Sequence, residues 1–244
     1  MSDGQYIDVN GLKTYYEVHG EGEPLLLMHG GFCTVETFAR QTPDFAAKYQ
    51  VIVPERRGHG RTPDVEGPIT YEAMAQDTIG LMQALGLPVA DIVGYSDGGN
   101  TALVMALERP DIVRKMVCLG ANFHYNGMAP VAVQVMEHAT PDSFYPSLIK
   151  EVSPDGPDHL PIVFEKIMRM WREEPALTPQ HLGRIQAPTL IIVGDRDWVA
   201  MDHTVEMYES IPNAQLCVIP GATHGAPFEK APLVNQIVLD FLGS

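Results

Sequence analysis

The chain has 244 residues, 45% of them hydrophobic and 19% charged, which suits one large globular domain or a domain carrying a sizeable insertion. Its 31 acidic and 16 basic residues give a net charge of −15, a field that repels phosphate backbones and anionic lipid, so neither nucleic acid nor a membrane is an expected partner. No apolar run approaches the roughly 18–20 residues of a membrane span, the opening MSDGQYIDVNG has neither a basic n-region nor an apolar h-region, and a cytoplasmic location is the expectation.

The chain opens on QYIDVNGLKTYYEVHG, an antiparallel hairpin pattern with Asn10-Gly11 at its turn. Six short apolar runs follow, PLLLMHG (24–30), QVIVPE (50–55), ADIVGYS (90–96), RKMVCLGAN (114–122), PTLIIVGD (188–195) and QLCVIPG (215–221), and read as buried strands of a largely parallel sheet. Helical periodicity fills TYEAMAQDTIGLMQALG (70–86) and LVNQIVLDFLG (233–243), each closed by a glycine. Strand–helix alternation behind a hairpin predicts a mixed, mostly parallel α/β sheet. Residues 123–185 break the rhythm with methionines (Met128, Met136, Met168, Met170) and aromatics (Phe123, Tyr125, Phe144, Tyr145, Trp171) but no strand pattern. They read as a mainly helical insertion over the C-terminal edge of the sheet, where α/β ligand sites form. Their large side chains can line a ligand site or pack the insertion's own core. The three cysteines are widely spaced with no C-x-x-C; Cys118 and Cys217 read as small core hydrophobes, and Cys33, in a Gly-rich loop, as the more exposed.

The segment carrying chemistry is Gly94-Tyr95-Ser96-Asp97-Gly98, a G-x-S-x-G between a strand and the helical pattern GNTALVMALER. That context marks Ser96 as a nucleophile on a sharp turn, with glycines where the backbone closes on itself and a helix N-terminus behind it. A serine nucleophile needs a base and an orienting acid, in chain order Ser, Asp/Glu, His. His224, in PGATHG after the last strand, has the best claim of the nine histidines. In the loop GDRDW after the preceding strand, Asp197 and Asp195 compete for the acid, with Asp202 third. Asp197 reaches further over the edge, whereas Asp195 can cap its own turn. The loop His29-Gly30-Gly31-Phe32 supplies a second oxyanion donor, Gly31 or Phe32, paired with the N–H of Asp97; His29 shapes that loop.

Together HGG (29–31), RRGHGRT (56–62), the serine elbow, the G-x-x-D ending at Asp197 and the G-x-x-H ending at His224 resemble the α/β-hydrolase superfamily. Within it, GYSDGGNTALVMALERPDIVRKMVCLGAN most resembles the biphenyl-hydrolase-like group that includes valacyclovir hydrolase. The resemblance implies a mostly parallel mixed sheet of about eight strands flanked by helices, with residues 1–122 and 186–244 as hydrolase core and 123–185 as helical cap. It supports Asp197 as the acid and implies a serine esterase acting on a small-molecule ester through an acyl-enzyme, with no metal or organic cofactor; a monomer is the default expectation. It also implies that Asp97 can hold a substrate α-amino group, the other reading being that its carboxylate only caps the helix. Phe32, Phe123, Tyr125, Trp171 and Trp198 join Asp97 as candidates for contact with substrate. Lactonase and carbon–carbon-bond hydrolase chemistry use the same triad and stay open, as does a slow-turnover ligand receptor on the same fold, which a single stoichiometric burst would reveal.

Overall fold

The computed structural model describes residues 4–144 and 147–244; Tyr145 of the insertion lies outside the described residues. Eight strands form one sheet: β1 Gln5–Val9, β2 Leu12–His19, β3 Glu23–Met28, β4 Tyr49–Pro54, β5 Ala90–Tyr95, β6 Val113–Leu119, β7 Thr189–Arg196 and β8 Ala214–Thr223. Their spatial order is β1-β2-β4-β3-β5-β6-β7-β8. The hairpin forms as its sequence predicts: Asn10 and Gly11 take φ of 52° and 80° at the turn, the left-handed pair that a two-residue hairpin requires. β2 runs antiparallel to β4, and every later pairing is parallel.

Period-2 alternation divides each central strand between two apolar layers. Leu26, Met28, Ile52 and Ile92 face one layer with Ile79, Leu103 and Met105 of the flanking helices, whereas Leu25, Leu27, Val51 and Val93 face the other with Phe38, Phe45, Val234 and Val238. Helices cover both faces, which is why these strands read as unbroken apolar runs. The last strand departs from that reading: β8 is the sheet's edge, with Val218 39% exposed and Cys217 half-buried, while Cys118 on the interior β6 is fully buried. The apolar content of an edge strand reflects one covered face, not two.

The order β4-β3-β5 creates the point that matters for function. The chain leaves β3 to one side for β4 and returns on the other side for β5, so a crevice opens beyond the C-terminal ends of β3 and β5. Met28 pairs with Gly94, which sets the His29–Phe32 loop beside Ser96. Residues 123–185 contain helices and no strand among the described residues. Their main helix, Leu160–Glu173, buries Leu160, Val163, Phe164, Ile167 and Met168, spaced at i, i+3, i+4, i+7 and i+8. That stripe packs on Phe32, Ile69, Tyr71 and Met74 of the core as a third apolar cluster. Asp64 of the core also ties the helix down, accepting from Lys166 Nζ at 2.6 Å and contacting His159 Nε2 at 2.9 Å. Leu182 and Ile185, at the end of the insertion, pack instead with the core layer under the sheet.

The helix Asp97–Glu108 starts directly against β3: a Cβ on Gly98 would stand 1.9 Å from the Met28 carbonyl oxygen. Gly98→Ala therefore has to push strand and helix apart. Its expected cost is about 1–3 kcal/mol or more, read as a lower urea midpoint at unchanged m-value.

Candidate active site

Ser96 sits at φ 53°, ψ −120°, a conformation non-glycine residues avoid and one that costs roughly 1–3 kcal/mol. Its neighbours hold it there. The Ser96 N–H donates to Leu119 O at 2.8 Å, and its carbonyl accepts from the N–H groups of Gly99 (2.8 Å) and Asn100 (3.1 Å). The turn closes so tightly that a Cβ on Gly94 would lie 2.4 Å from the carbonyl carbon of Gly98. The two glycines of G-x-S-x-G are thus backbone-contact positions.

His224 follows β8 and Asp197 follows β7, and the structure brings both to Ser96. His224 Nε2 lies 3.1 Å from Ser96 Oγ, and His224 Nδ1 lies 2.7 Å from Asp197 Oδ1. The approach depends on Gly120 at the end of β6, at φ 58°, where a Cβ would stand 2.9 Å from His224 Nδ1. Burial alone would raise the Asp197 carboxyl. The His224 hydrogen bond and charge outweigh it, helped by the N–H groups of Val199 (3.1 Å) and Gly194 (3.3 Å), and hold the carboxyl below its ordinary value. The acid therefore stays ionised throughout the neutral range, with Nδ1–H donated to it and Nε2 left to accept the serine proton. The rival acids are elsewhere: Asp195 is exposed and accepts the Gly221 N–H at 2.9 Å, and exposed Asp202 accepts the His203 N–H. Trp198 lies parallel to the His224 ring, 5.2 Å between centroids and 3° between planes, while Tyr95 packs 5.3 Å away at 38°.

The loop after β3 is held from below by Arg56. This buried guanidinium donates through Nη2 to the carbonyls of His29 and Gly30 (3.0 Å to the latter) and through Nη1 to Thr101 Oγ1 at 3.3 Å. Because a trans peptide sets C=O and N–H on opposite sides, anchoring the Gly30 carbonyl turns the Gly31 N–H away from Arg56. His29 is fully buried, and burial followed by the Arg56 charge pushes its pKa well down. The neutral ring accepts the Arg56 backbone N–H at 3.3 Å, so it shapes the loop and carries no proton traffic. Phe32 takes φ 55° and buries its ring among Phe144, Phe164 and Trp171.

Asp97 is 3% exposed, and its carboxylate reaches over the elbow toward this loop; a Cβ on Gly31 would lie 2.5 Å from its Oδ2. Tyr71 OH donates to Oδ1 at 2.8 Å, and Trp171 Nε1 approaches both oxygens at 3.0 Å. Burial and then the Asp97 charge push the Tyr71 phenol well up, so it remains a donor. Two protein donors leave a carboxylate with acceptor capacity to spare.

Two cavities meet at Ser96, His224, Trp171 and Trp198. One cleft is lined in addition by Tyr71, Asp97, Asn122, Met128, Met136 and Glu174. The other, more open to solvent, runs past Gly31, Phe32, Cys33, Phe144 and Gly225. Of the residues the sequence marked for substrate, Asp97, Phe32, Trp171 and Trp198 line this pair of cavities. Phe123 and Tyr125 line neither: Phe123 is 3% exposed and stacks on His203 at 4.0 Å, and Tyr125 stacks on His124 at 4.4 Å. Tyr71 and Glu174 escaped the sequence reading, because nothing in a helix's first turn or a cap helix's last residues signals contact with residue 97.

The assignment of the acid has a direct check. Asp197→Asn is expected to lower kcat on p-nitrophenyl acetate by roughly 10⁴-fold, since an amide favours the wrong histidine tautomer, while Asp195→Asn stays near wild type. The reverse ranking would transfer the role to Asp195.

The sequence profile of the alpha/beta hydrolase fold matches residues 23–156, over half the chain. Serine hydrolase BPHL of Homo sapiens is 29% identical, with 97% of this chain and 85% of that protein covered. The 2-hydroxy-6-oxo-6-phenylhexa-2,4-dienoate hydrolase of Burkholderia cepacia is also 29% identical, over 92% of this chain and 89% of its own. A solved meta-cleavage product hydrolase from Pseudomonas fluorescens IP01 superposes with a TM-score of 0.86 at 24% identity, covering 98% of this chain and 97% of the other. The chain belongs to the α/β-hydrolase family and is a serine hydrolase.

Proposed function

We propose that the protein hydrolyses small carboxylic esters whose acyl group carries an α-ammonium. The reaction uses the groups already in place. Ser96 Oγ attacks the ester carbonyl as its proton passes to His224 Nε2, and Asp197 stabilises the imidazolium. The N–H groups of Gly31 and Asp97 receive the oxyanion, each such donor contributing roughly 3–4 kcal/mol at the transition state. The imidazolium then protonates the departing alcohol, and water, activated by His224, releases the acid by the same route in reverse.

The observation that carries the α-ammonium is the Asp97 carboxylate itself. It lines the cleft beside the nucleophile, keeps acceptor capacity beyond Tyr71 and Trp171, and forms no ion pair with a lysine or arginine among the described residues, buried Arg56 acting on it through charge alone. The same electrostatics disfavour carbon–carbon-bond hydrolysis of dienoates, the class in the name of the Burkholderia cepacia relative, because the dienoate carboxylate would face Asp97 and Glu174 with no lining lysine or arginine to receive it. A net charge of −15 further favours encounter with cationic esters.

A charge-assisted hydrogen bond of about 1.5–3 kcal/mol corresponds to roughly ten- to a hundredfold selectivity. A phenylalanine ester is accordingly expected to exceed its des-amino 3-phenylpropionate analogue in kcat/KM by about tenfold or more near pH 7, with Asp97→Asn erasing the gap. Parity between the two esters in the wild-type protein would leave a general esterase whose Asp97 serves only the elbow.

A further inference from the structure

The acid-lined cleft holds a second carboxylate. Glu174, just beyond the cap helix Leu160–Glu173, lines the same cleft as Ser96 and Asp97. It is half-buried and forms no salt bridge among the described residues; its neighbour Glu173 pairs with Arg169 instead. One oxygen, Oε2, accepts the Tyr71 N–H at 3.0 Å, and Oε1 accepts no hydrogen bond among the described residues. Burial pushes the carboxyl up from its ordinary value, the mark of a charge that gains from a partner.

Tyr71 links the two acids. Its backbone N–H reaches Glu174 at 3.0 Å and its phenol reaches Asp97 at 2.8 Å, so the carboxylates take hydrogen bonds from two donors held apart by the length of one tyrosine. The α- and ε-nitrogens of a lysyl group are separated by a similar length of chain. Met128 and Met136 line the same cleft and offer apolar surface to a methylene stem, with Trp171 and Trp198 nearer the serine. Among the described residues no lysine or arginine lines the cleft, and buried Arg56 acts on Asp97, as Arg169 does on Glu174, through charge alone and without an ion pair.

We propose that Glu174 is a specificity-determining residue that receives a second positive centre at the far end of the acyl chain, so that the preferred substrates are esters of basic, lysine-like amino acids. This rests on the α-ammonium reading of Asp97, with Glu174 adding a second and separable contact.

Three methyl esters dissect the two carboxylates: hexanoate, norleucine and lysine. Norleucine over hexanoate reads Asp97; lysine over norleucine reads Glu174, because the last pair differs by the terminal ammonium. The lysyl ester should exceed the norleucyl ester in kcat/KM by about tenfold or more. In Glu174→Gln, whose amide oxygen still accepts the Tyr71 N–H, that ratio should fall toward one while the norleucine-to-hexanoate ratio persists. A wild-type lysine-to-norleucine ratio at or below one, or a ratio that survives Glu174→Gln, overturns the proposal. A norleucine-to-hexanoate ratio of one would sink the Asp97 reading alone. Calorimetric binding of lysinamide and norleucinamide to the wild-type protein repeats the comparison without turnover: about tenfold tighter binding of lysinamide is expected, and equal binding counts against Glu174 even if no ester is cleaved.

Discussion

The structure turns on one backbone conformation, that of Ser96. A residue at φ 53° persists only where its surroundings determine it more strongly than its own torsional preference. Here β6 takes its N–H, the first turn of a helix takes its carbonyl, and two glycines allow strand and helix to close around it. The sheet order makes that closure productive. With β3 between β4 and β5, the loop bearing Gly31 comes up next to the serine, and β6, β7 and β8 deliver Gly120, Asp197 and His224 in sequence along the same edge.

Beneath the loop, a buried cation braces backbone. Arg56 gives its hydrogen bonds to carbonyls and a threonine hydroxyl instead of an acid, while the charge of the Asp97 carboxylate offsets part of the cost of burying its guanidinium. Thr101, which accepts from Arg56, donates in turn to the Asp97 carbonyl at 2.7 Å. The oxyanion loop and the elbow helix are therefore braced on the same pair of side chains. Displacing one would displace the other.

The core was legible in the sequence because its determinants are local. Asn10-Gly11 specifies its own turn, apolar runs specify strands, and G-x-S-x-G followed by acid and histidine loops in fixed chain order specifies the triad. What the sequence hid depends on contacts between distant segments. Phe123 and Tyr125 have the same composition as pocket aromatics, but the chain leaving β6 turns them toward His203 and His124. Tyr71 reads as an ordinary helix residue until the fold brings its phenol to Asp97, 26 positions away. The β8 run looks like an interior strand because hydrophobicity does not record how many neighbours a strand will find.

Both tryptophans of the chain stand in the catalytic cleft, Trp198 stacked on the imidazole and Trp171 hydrogen-bonded to Asp97. All indole emission from this protein consequently originates within one or two residues of the chemistry. A protonated imidazole lying parallel to an indole is an efficient quencher, and an indole N–H bonded to a carboxylate responds to any cation that neutralises it. The triad's charge state and the occupancy of the acid-lined cleft are thus written into the tryptophan emission, with no label attached.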